Sequence, residues 1–149
     1  MIHPPDYIRI VDIVNRQKEI DLDSFFPLVP KLIAATLAVE KRQAEYIGVT
    51  FLSDRTMRRY HQKFFNDPSP TDCMSFPIDE GKDCLGDIFI CPKVAQISAK
   101  KEKSSLEKEL SLYIIHATLH LLGYDDIKKQ DRQVMRRKEK AVFDFLLKY

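Results

Sequence analysis

The sequence predicts a fold that contains both helices and strands, with four strands and five helices. Short runs rich in Ile, Val and Phe alternate with segments whose apolar residues recur at the helical period. Pro, Gly, Ser and Asp separate these segments and mark their boundaries. With 149 residues, the chain is long enough for one domain with its own core. We therefore expect a single domain over residues 1–149.

The first predicted elements are a strand and a helix. Residues 7–14 are rich in Ile and Val, as strands are. Asp23 or Ser24 is predicted to cap a helix that ends near Arg42. Pro30 lies inside this segment and indicates a kink or a later start, because proline fits only the first turn of a helix.

A second strand and helix follow. Residues 44–52 form a predicted strand, after which Ser53 is predicted to cap a helix that ends near Phe65. The first half of the chain therefore has the order strand–helix–strand–helix. Residues 66–72 contain two prolines and form a predicted loop.

The middle of the chain predicts a β-hairpin. Residues 73–78 and 85–91 are the two strands, and residues 79–83 form the turn around a glycine. Pro77 cannot donate a ladder hydrogen bond, so we expect the first of these strands at a sheet edge.

Three helices are predicted to complete the fold, over residues 92–100, 105–122 and 128–148. Ser104 and Glu107 match the capping-box pattern and predict the start of the second of these helices. Its apolar residues wrap most of the circumference, which predicts a central, buried helix.

Cysteine usage and hydropathy indicate a cytoplasmic protein. Cys73, Cys84 and Cys91 are odd in number and lack metal-site spacing, and we expect Cys73 and Cys91 to be buried free thiols. Free thiols favour a reducing compartment. Residues 1–15 do not resemble a signal peptide, and no apolar run is long enough to span a membrane.

The segment HATLHLLGYDD, residues 116–126, is the strongest candidate for a functional site. His116 and His120 share one face of a helix because they are four residues apart. A glycine then allows the chain to turn back, so that Asp126 or Asp125 can reach the same ion. Two imidazoles, one carboxylate and an open position are typical of a catalytic zinc.

Two other interpretations of this segment remain. Histidines in an apolar helix can simply form hydrogen bonds within a core. The pattern also invites comparison with metzincin proteases, whose general base is a glutamate directly after the first histidine. Here that residue is Ala117, so peptide hydrolysis would need a base from elsewhere.

Two basic clusters predict contacts with nucleic acid. Residues 128–140 hold seven lysines and arginines against two acidic residues, in a chain whose formal net charge is only +2. A second set lies within residues 55–63. Grouped cations attract phosphates, although a solvated helix face gives the same pattern. The candidate RNA contacts are Arg59, Lys63, Arg132 and Arg136.

Several motifs together resemble the YbeY family of bacterial endoribonucleases, which act in ribosomal RNA maturation. The family signatures HGxLHLLGYDH, PTDVLSFP and LGDIxI are matched by HATLHLLGYDD at 116–126, PTDCMSFP at 70–77 and LGDIFI at 85–90. The glutamate and methionine spacing around the site is also similar, at Glu109, Met135 and Glu139. The match extends over roughly residues 45–140, in the same order.

The resemblance implies a small α+β fold, in which a four-stranded mixed sheet with an antiparallel edge strand packs against helices around a central metal-binding helix. It implies one Zn²⁺ ion, or another divalent metal, and cleavage of single-stranded RNA. The implied partners are ribosomal RNA and the small ribosomal subunit, in 3′-end maturation and ribosome quality control. We expect no membrane and no DNA partner.

The chain departs from the family pattern at two positions. The family's third metal ligand is a histidine, and here the matching residue is Asp126. Aspartate can bind zinc, but its charge makes the bound water less acidic and its shorter side chain requires a closer loop. The family also has an arginine that is thought to contact RNA, where this chain has Phe65.

These departures leave functional questions open. A ribosome-assembly factor that binds RNA without cleaving it is one alternative, and a metallopeptidase is another. Asp72 and Asp125 are candidates for a general base, although roles in turn structure and in orienting ligands are expected for both.

Overall fold

The computed structural model describes residues 2–78 and 83–148. The strands in this part of the chain are β1 (Ile8–Arg16), β2 (Ala44–Leu52), β3 (Cys73–Pro77) and β4 (Cys84–Ile90). Its α-helices are α1 (Val29–Val39), α2 (Asp54–Phe65), α3 (Pro92–Lys101), α4 (Leu106–Leu121) and α5 (Lys129–Lys148). Within these described residues, no helix is both long enough and apolar enough to cross a bilayer.

The strands form one mixed sheet with the order β1-β2-β4-β3. The β1–β2 and β2–β4 pairs are parallel, whereas β3 is antiparallel to β4 and lies at an edge. This topology confirms the predicted four-stranded mixed sheet and the edge position of Pro77. Most of the predicted turn, residues 79–82, lies outside the described residues.

Gly86 allows β3 and β4 to pair closely. It has a φ of +132°, and a Cβ atom there would lie 2.2 Å from the Phe76 carbonyl oxygen. A larger residue would therefore both strain the backbone and push the edge strand away.

Helix α4 is the central element of the core. It contacts α1, α3, α5, β3 and β4. Ile114, Ile115 and Leu119 are fully buried, as the apolar circumference of this segment predicts. The central helix is thus confirmed, and its residues have little freedom to rotate or shift.

A smaller apolar cluster covers the other face of the sheet. Side chains alternate between faces along a strand, so Phe89 points away from its neighbours in the main core. It packs with residues of β3, α2 and α3, including Met74, Met57 and Val94. This cluster fixes α2 against the edge strand.

The predicted start of α1 is wrong. Asp23 and Ser24 do not cap the helix, because the backbone N–H groups of the next two residues bond to Leu22 and a short 3₁₀ turn follows. The helix begins only at Val29, with Pro30 in the first turn, where its missing N–H costs no hydrogen bond.

The predicted end of α1 near Arg42 is also wrong. The helix ends at Val39 because Lys41 adopts a positive φ of 55°. The Arg42 N–H then bonds back to the Leu37 carbonyl at 2.9 Å, which closes the last turn.

The start of α4 differs from the predicted capping box by one residue. Ser105, not Ser104, is the N-cap, and its hydroxyl oxygen accepts the Lys108 N–H at 3.1 Å. The Ser104 hydroxyl is buried without a hydrogen-bond partner. The pairing of Ser104 with Glu107 is therefore wrong.

Exchanging these two serines separates the observed cap from the predicted one. Ser105→Ala should lower the free energy of unfolding by about 1 kcal/mol, because the Lys108 N–H loses its acceptor. Ser104→Ala should cost nothing or stabilise, since it removes a buried hydroxyl without a partner. Urea denaturation of both variants measures this, and a larger loss for Ser104→Ala would contradict the observed cap.

Candidate metal centre

The two histidines of α4 lie one helical turn apart on a single face. The Nε2 atoms of His116 and His120 are 3.0 Å apart. Their side chains are 22% and 26% exposed, so solvent reaches them although the other residues within 113–121 are buried. The core thus holds the backbone while the imidazoles remain accessible.

Gly123 turns the chain back over this face. Its φ is +105°, and its N–H bonds to the His120 carbonyl at 3.0 Å. The N–H of Tyr124 bonds to the Leu119 carbonyl at 3.1 Å, which completes a Schellman motif. The predicted glycine stop is confirmed.

Asp126 is the carboxylate that this turn brings to the histidines. Its Oδ2 lies 3.2 Å from His116 Nε2, and its Oδ1 lies 3.7 Å from His120 Nε2. Asp125 is exposed, and its Oδ1 accepts the Ile127 N–H at 3.3 Å. The geometry therefore makes Asp126 the better candidate ligand and gives Asp125 a role in the loop.

The donor set fits a zinc ion. One ligand atom from each of His116, His120 and Asp126 lies within 4.8 Å of the others. Zinc bonds of about 2.0–2.1 Å at tetrahedral angles separate neighbouring ligand atoms by roughly 3.3 Å. The two Nε2 atoms are 3.0 Å apart, and the carboxylate approaches His116 through Oδ2 at 3.2 Å and His120 through Oδ1 at 3.7 Å. Each pair of residues therefore lies near the separation that zinc ligands need. Other divalent ions accept the same donors.

Glu139 on α5 orients the first histidine. Its Oε2 lies 2.5 Å from His116 Nδ1, so the imidazole donates from Nδ1 and directs Nε2 at Asp126. Carboxylates commonly hold metal-binding histidines in this way. Burial lowers the pKa of His116, but the hydrogen bond and the charges of Glu139, Asp126 and Asp72 outweigh it and raise the pKa.

A second contact anchors the loop that carries Asp126. Lys138 Nζ bonds to Glu40 Oε2 at 2.9 Å and lies 5.6 Å from the centre of the Tyr124 ring. Glu40 is almost completely buried at the end of α1. Helices α1 and α5 thus hold Tyr124 directly before the two aspartates.

Two clefts meet at His116 and Asp126, and His120 lines one of them. The larger has a volume of about 560 Å³ and is bordered by β3, the end of α2 and the loop after α4. The smaller, of about 260 Å³, lies between α4 and α5. Asp72, His116 and Asp126 line both clefts. A chain-like substrate that crosses the candidate site would therefore occupy both.

The predicted RNA contacts divide between two locations. Arg132 and Arg136 line the smaller cleft beside the candidate ligands. Arg59 and Lys63 are exposed on α2 and lie two residues before and after His61, which lines the larger cleft. Two residues correspond to about 200° on a helix, so Arg59 and Lys63 face away from that cleft. Their contact with RNA stays a prediction.

His61 and Phe65 line the larger cleft from α2. The sequence did not indicate His61 as a functional residue, and it marked Phe65 only as a departure from the family pattern. They are four residues apart, and this helical spacing is the signal that could have paired them. Ala117 is fully buried, so position 117 offers no general base to the site.

Comparison with known proteins identifies relatives of this chain. The family model described as Endoribonuclease YbeY matches residues 12–146. An Endoribonuclease YbeY of Finegoldia magna is 36% identical over 138 residues, which cover 89% of this chain and 90% of the relative. One of Chlamydia muridarum is 33% identical over 140 residues, covering 90% and 86%.

A solved structure supports the fold. The solution structure of a Thermotoga maritima protein superposes with a TM-score of 0.62 and covers 91% of this chain and 90% of its own. The sequences are 24% identical, so this likeness concerns the fold alone.

Neutralising the two aspartates one at a time tests which of them binds metal. Asp126→Asn should weaken zinc binding by at least about 100-fold. Loss of a residue that only orients a ligand typically lowers metal affinity about 10- to 100-fold, and loss of a direct ligand should lower it more. Asp125→Asn is the matched control and should bind zinc almost as the unmodified chain does. Competition with a chromogenic chelator measures both affinities, and the reverse order would show that Asp125 is the ligand.

Removing the Glu139 charge tests the orientation of His116. Glu139→Gln should weaken zinc binding by about 10- to 100-fold, because the imidazole loses its charged partner at Nδ1. Asp144→Asn removes a charge from the same helix at an exposed position paired with Lys140. Calorimetric titration measures the zinc affinity of both variants. Equal losses of affinity would show that Glu139 acts through long-range charge and does not orient His116.

Proposed function

Because the chain belongs to the YbeY family of endoribonucleases, we propose that it is a metal-dependent enzyme that cleaves single-stranded RNA. The observation that carries this proposal is the convergence of His116, His120 and Asp126 where two clefts meet. An open position beside three protein ligands leaves room for water or a phosphoryl oxygen. The whole domain, residues 1–149, is proposed to serve this one activity.

The proposed biological substrate is ribosomal RNA. We propose maturation of the small-subunit 3′ end and ribosome quality control, in the cytoplasm and in association with the small subunit. The resemblance of the motifs at 70–77, 85–90 and 116–126 supports this assignment. The clustering of lysines and arginines within residues 55–63 and 128–140 supports RNA as the class of substrate.

The residues of the centre have distinct proposed tasks. His116, His120 and Asp126 hold Zn²⁺ or a similar ion, and Glu139 keeps His116 Nε2 directed at it. When bound, the ion lowers the pKa of a coordinated water and stabilises charge on phosphoryl oxygens. The binding and proton-transfer steps then depend on neighbouring side chains.

Asp72 is the carboxylate best positioned to accept a proton. It lines both clefts, as the candidate ligands His116 and Asp126 do. Its Oδ1 accepts the Cys73 N–H at 2.7 Å, which fixes the side chain at the start of the edge strand. We therefore prefer Asp72 to Asp125 as general base.

Arginines on α5 are proposed to hold the RNA backbone. Arg132 and Arg136 are one turn apart and border the smaller cleft. Arg132 also donates to the Ile127 carbonyl at 2.7 Å, so it is fixed beside the loop that carries Asp126. Guanidinium groups that line the same cleft as His116 and Asp126 can bind phosphates next to the one that is cleaved.

Aspartate in place of histidine is compatible with activity. The carboxylate oxygens already lie within 3.2 and 3.7 Å of the imidazole nitrogens, so the loop reaches close enough for the shorter side chain. The added negative charge makes the metal-bound water less acidic, so the rate should rise towards alkaline pH. A non-cleaving assembly factor is the alternative if this effect abolishes turnover.

Cleavage of labelled single-stranded RNA tests the proposed function. The zinc-loaded chain should cut it, cut a duplex of the same sequence poorly, and lose activity with a chelator. Asp126→Asn should lower kcat/KM by at least about 100-fold because the metal contributes several kcal/mol to the transition state. Asp126→His should retain activity, since imidazole also binds zinc.

Matched controls separate the competing functions. Thermal unfolding monitored by circular dichroism should be similar for the unmodified chain and both Asp126 variants, which excludes misfolding. If the metal-loaded chain binds ribosomes but cuts no RNA, the non-catalytic alternative is correct. If it instead hydrolyses casein, and His120→Ala abolishes this, the chain is a metallopeptidase.

A further inference from the structure

An aromatic wall, formed by His61, Phe65 and Phe76, stands beside the candidate metal centre. The ring centres of Phe65 and His61 are 5.7 Å apart, and those of Phe65 and Phe76 are 6.0 Å apart. His61 and Phe65 line the same cleft as His116 and Asp126. An aromatic surface is thus adjacent to the proposed site of cleavage.

Phe65 is exposed although the sheet nearby has an apolar cluster that could bury a phenyl ring. Its side chain is 52% exposed at the end of α2. Burial of a phenyl ring stabilises a fold, so an exposed one forgoes this contribution. Exposed aromatic rings at the border of a cleft frequently mark a binding surface.

The ring of Phe65 is also held in place. Asn66 ends α2 in the left-handed conformation, with its N–H bonded to Gln62. His61 Nδ1 lies 2.9 Å from the Ser69 carbonyl, which fixes the imidazole that supports one side of Phe65. A platform that is ordered before binding loses little entropy when a ligand stacks on it.

We propose that Phe65 is a stacking platform for one unpaired base of the RNA, next to the phosphate that is cleaved. This inference rests on the proposed function and adds a determinant of substrate recognition to it. Proteins bind single-stranded RNA by combining stacked aromatic rings with cations along the backbone. Phe65 supplies the ring on one side of the centre. Arg132 and Arg136 supply the cations on the other side.

An RNA strand fits this surface better than a protein partner does. The aromatic wall continues directly into the cleft that contains three carboxylates and two imidazoles, Asp72, Asp125, Asp126, His116 and His120. A protein docked on Phe65 would cover this cleft and the proposed active centre with it. One strand that crosses both clefts uses the ring, the metal centre and the arginines together.

Phe64 provides a matched control. It has the same exposure of 52% and packs on Tyr60 and Phe76, with ring centres 6.0 and 5.2 Å apart. Among the described residues that line the larger cleft, Phe65 is present and Phe64 is not. Loss of Phe64 therefore reproduces the loss of an exposed ring without the proposed stacking surface.

The experiment combines Phe65→Ala with single abasic sites in the RNA. Equilibrium binding is measured by fluorescence anisotropy on the zinc-loaded chain with cleavage-resistant phosphorothioate RNAs, for an intact oligonucleotide and a series with one abasic site each. In the unmodified chain, one abasic position should weaken binding by about 5- to 100-fold. Phe65→Ala should weaken binding of intact RNA by a similar factor and should no longer respond to that abasic position.

Two further variants complete the design. Phe65→Tyr should restore binding and the abasic sensitivity, whereas Phe64→Ala should retain both. Unchanged binding by Phe65→Ala, or equal sensitivity to the abasic position before and after the substitution, overturns the proposal and leaves the aromatic wall to another partner.

Cleavage assays on ordinary phosphodiester RNAs of the same sequences distinguish failure of the stacking proposal from failure of the proposed function. If the chain cuts RNA but Phe65→Ala binds it normally, the stacking proposal fails and the proposed function stands. If the chain cuts no RNA, the proposed function fails, and the anisotropy data still decide whether Phe65 stacks a base.

Discussion

The burial of helix α4 is the constraint on which the candidate site depends. The helix contacts three other helices and two strands, so its backbone cannot rotate without disrupting the core. Within residues 113–121 of this helix, solvent reaches His116 and His120 while the other residues are buried. Gly123 then returns the chain over that face and brings Asp126 to within hydrogen-bond distance of His116. Packing, rather than the loop alone, therefore sets the positions of the three groups.

The charges around the site would favour a bound cation. Asp126, Glu139 and Asp72 raise the pKa of His116 against the opposing effect of burial. Three carboxylates would repel an RNA phosphate, so binding of the substrate requires that their charge be balanced. A divalent ion at the histidines and the guanidinium groups of α5 supply this balance in the proposed mechanism. In this proposal, the ion that supplies the chemistry also reduces the repulsion between the cleft and the RNA phosphates.

Local sequence signals were sufficient for most of the fold. The Ser53 cap, the bounds of β2 and the edge position of Pro77 follow from short-range chemistry and were all predicted. The start of α4 was misplaced by one residue because adjacent serines offer equivalent caps until tertiary packing buries one of them. For α1, backbone bonds to Leu22 replaced the expected side-chain cap.

The site was less predictable because it depends on contacts between distant segments. The spacing of His116 and His120 predicted a shared face and left Asp125 and Asp126 as alternatives, between which the family resemblance favoured Asp126. The distances to the imidazoles separate the two. Similarly, a count of basic residues grouped Arg59 with Arg132, although only Arg132 lines a cleft beside the candidate ligands. The sequence marked Phe65 only as a departure from the family pattern, and its place in the larger cleft became apparent once α2 was seen against the edge strand.

The central claim is that one metal ion is held by two imidazoles and the carboxylate of Asp126. The most direct measurement is a crystal structure of the zinc-loaded protein, with anomalous diffraction recorded on both sides of the zinc absorption edge. We expect one strong anomalous peak, from a zinc ion bonded to His116 Nε2, His120 Nε2 and an oxygen of Asp126. A peak bonded to Asp125 in place of Asp126, or zinc bound elsewhere while these three side chains remain without it, would contradict the account.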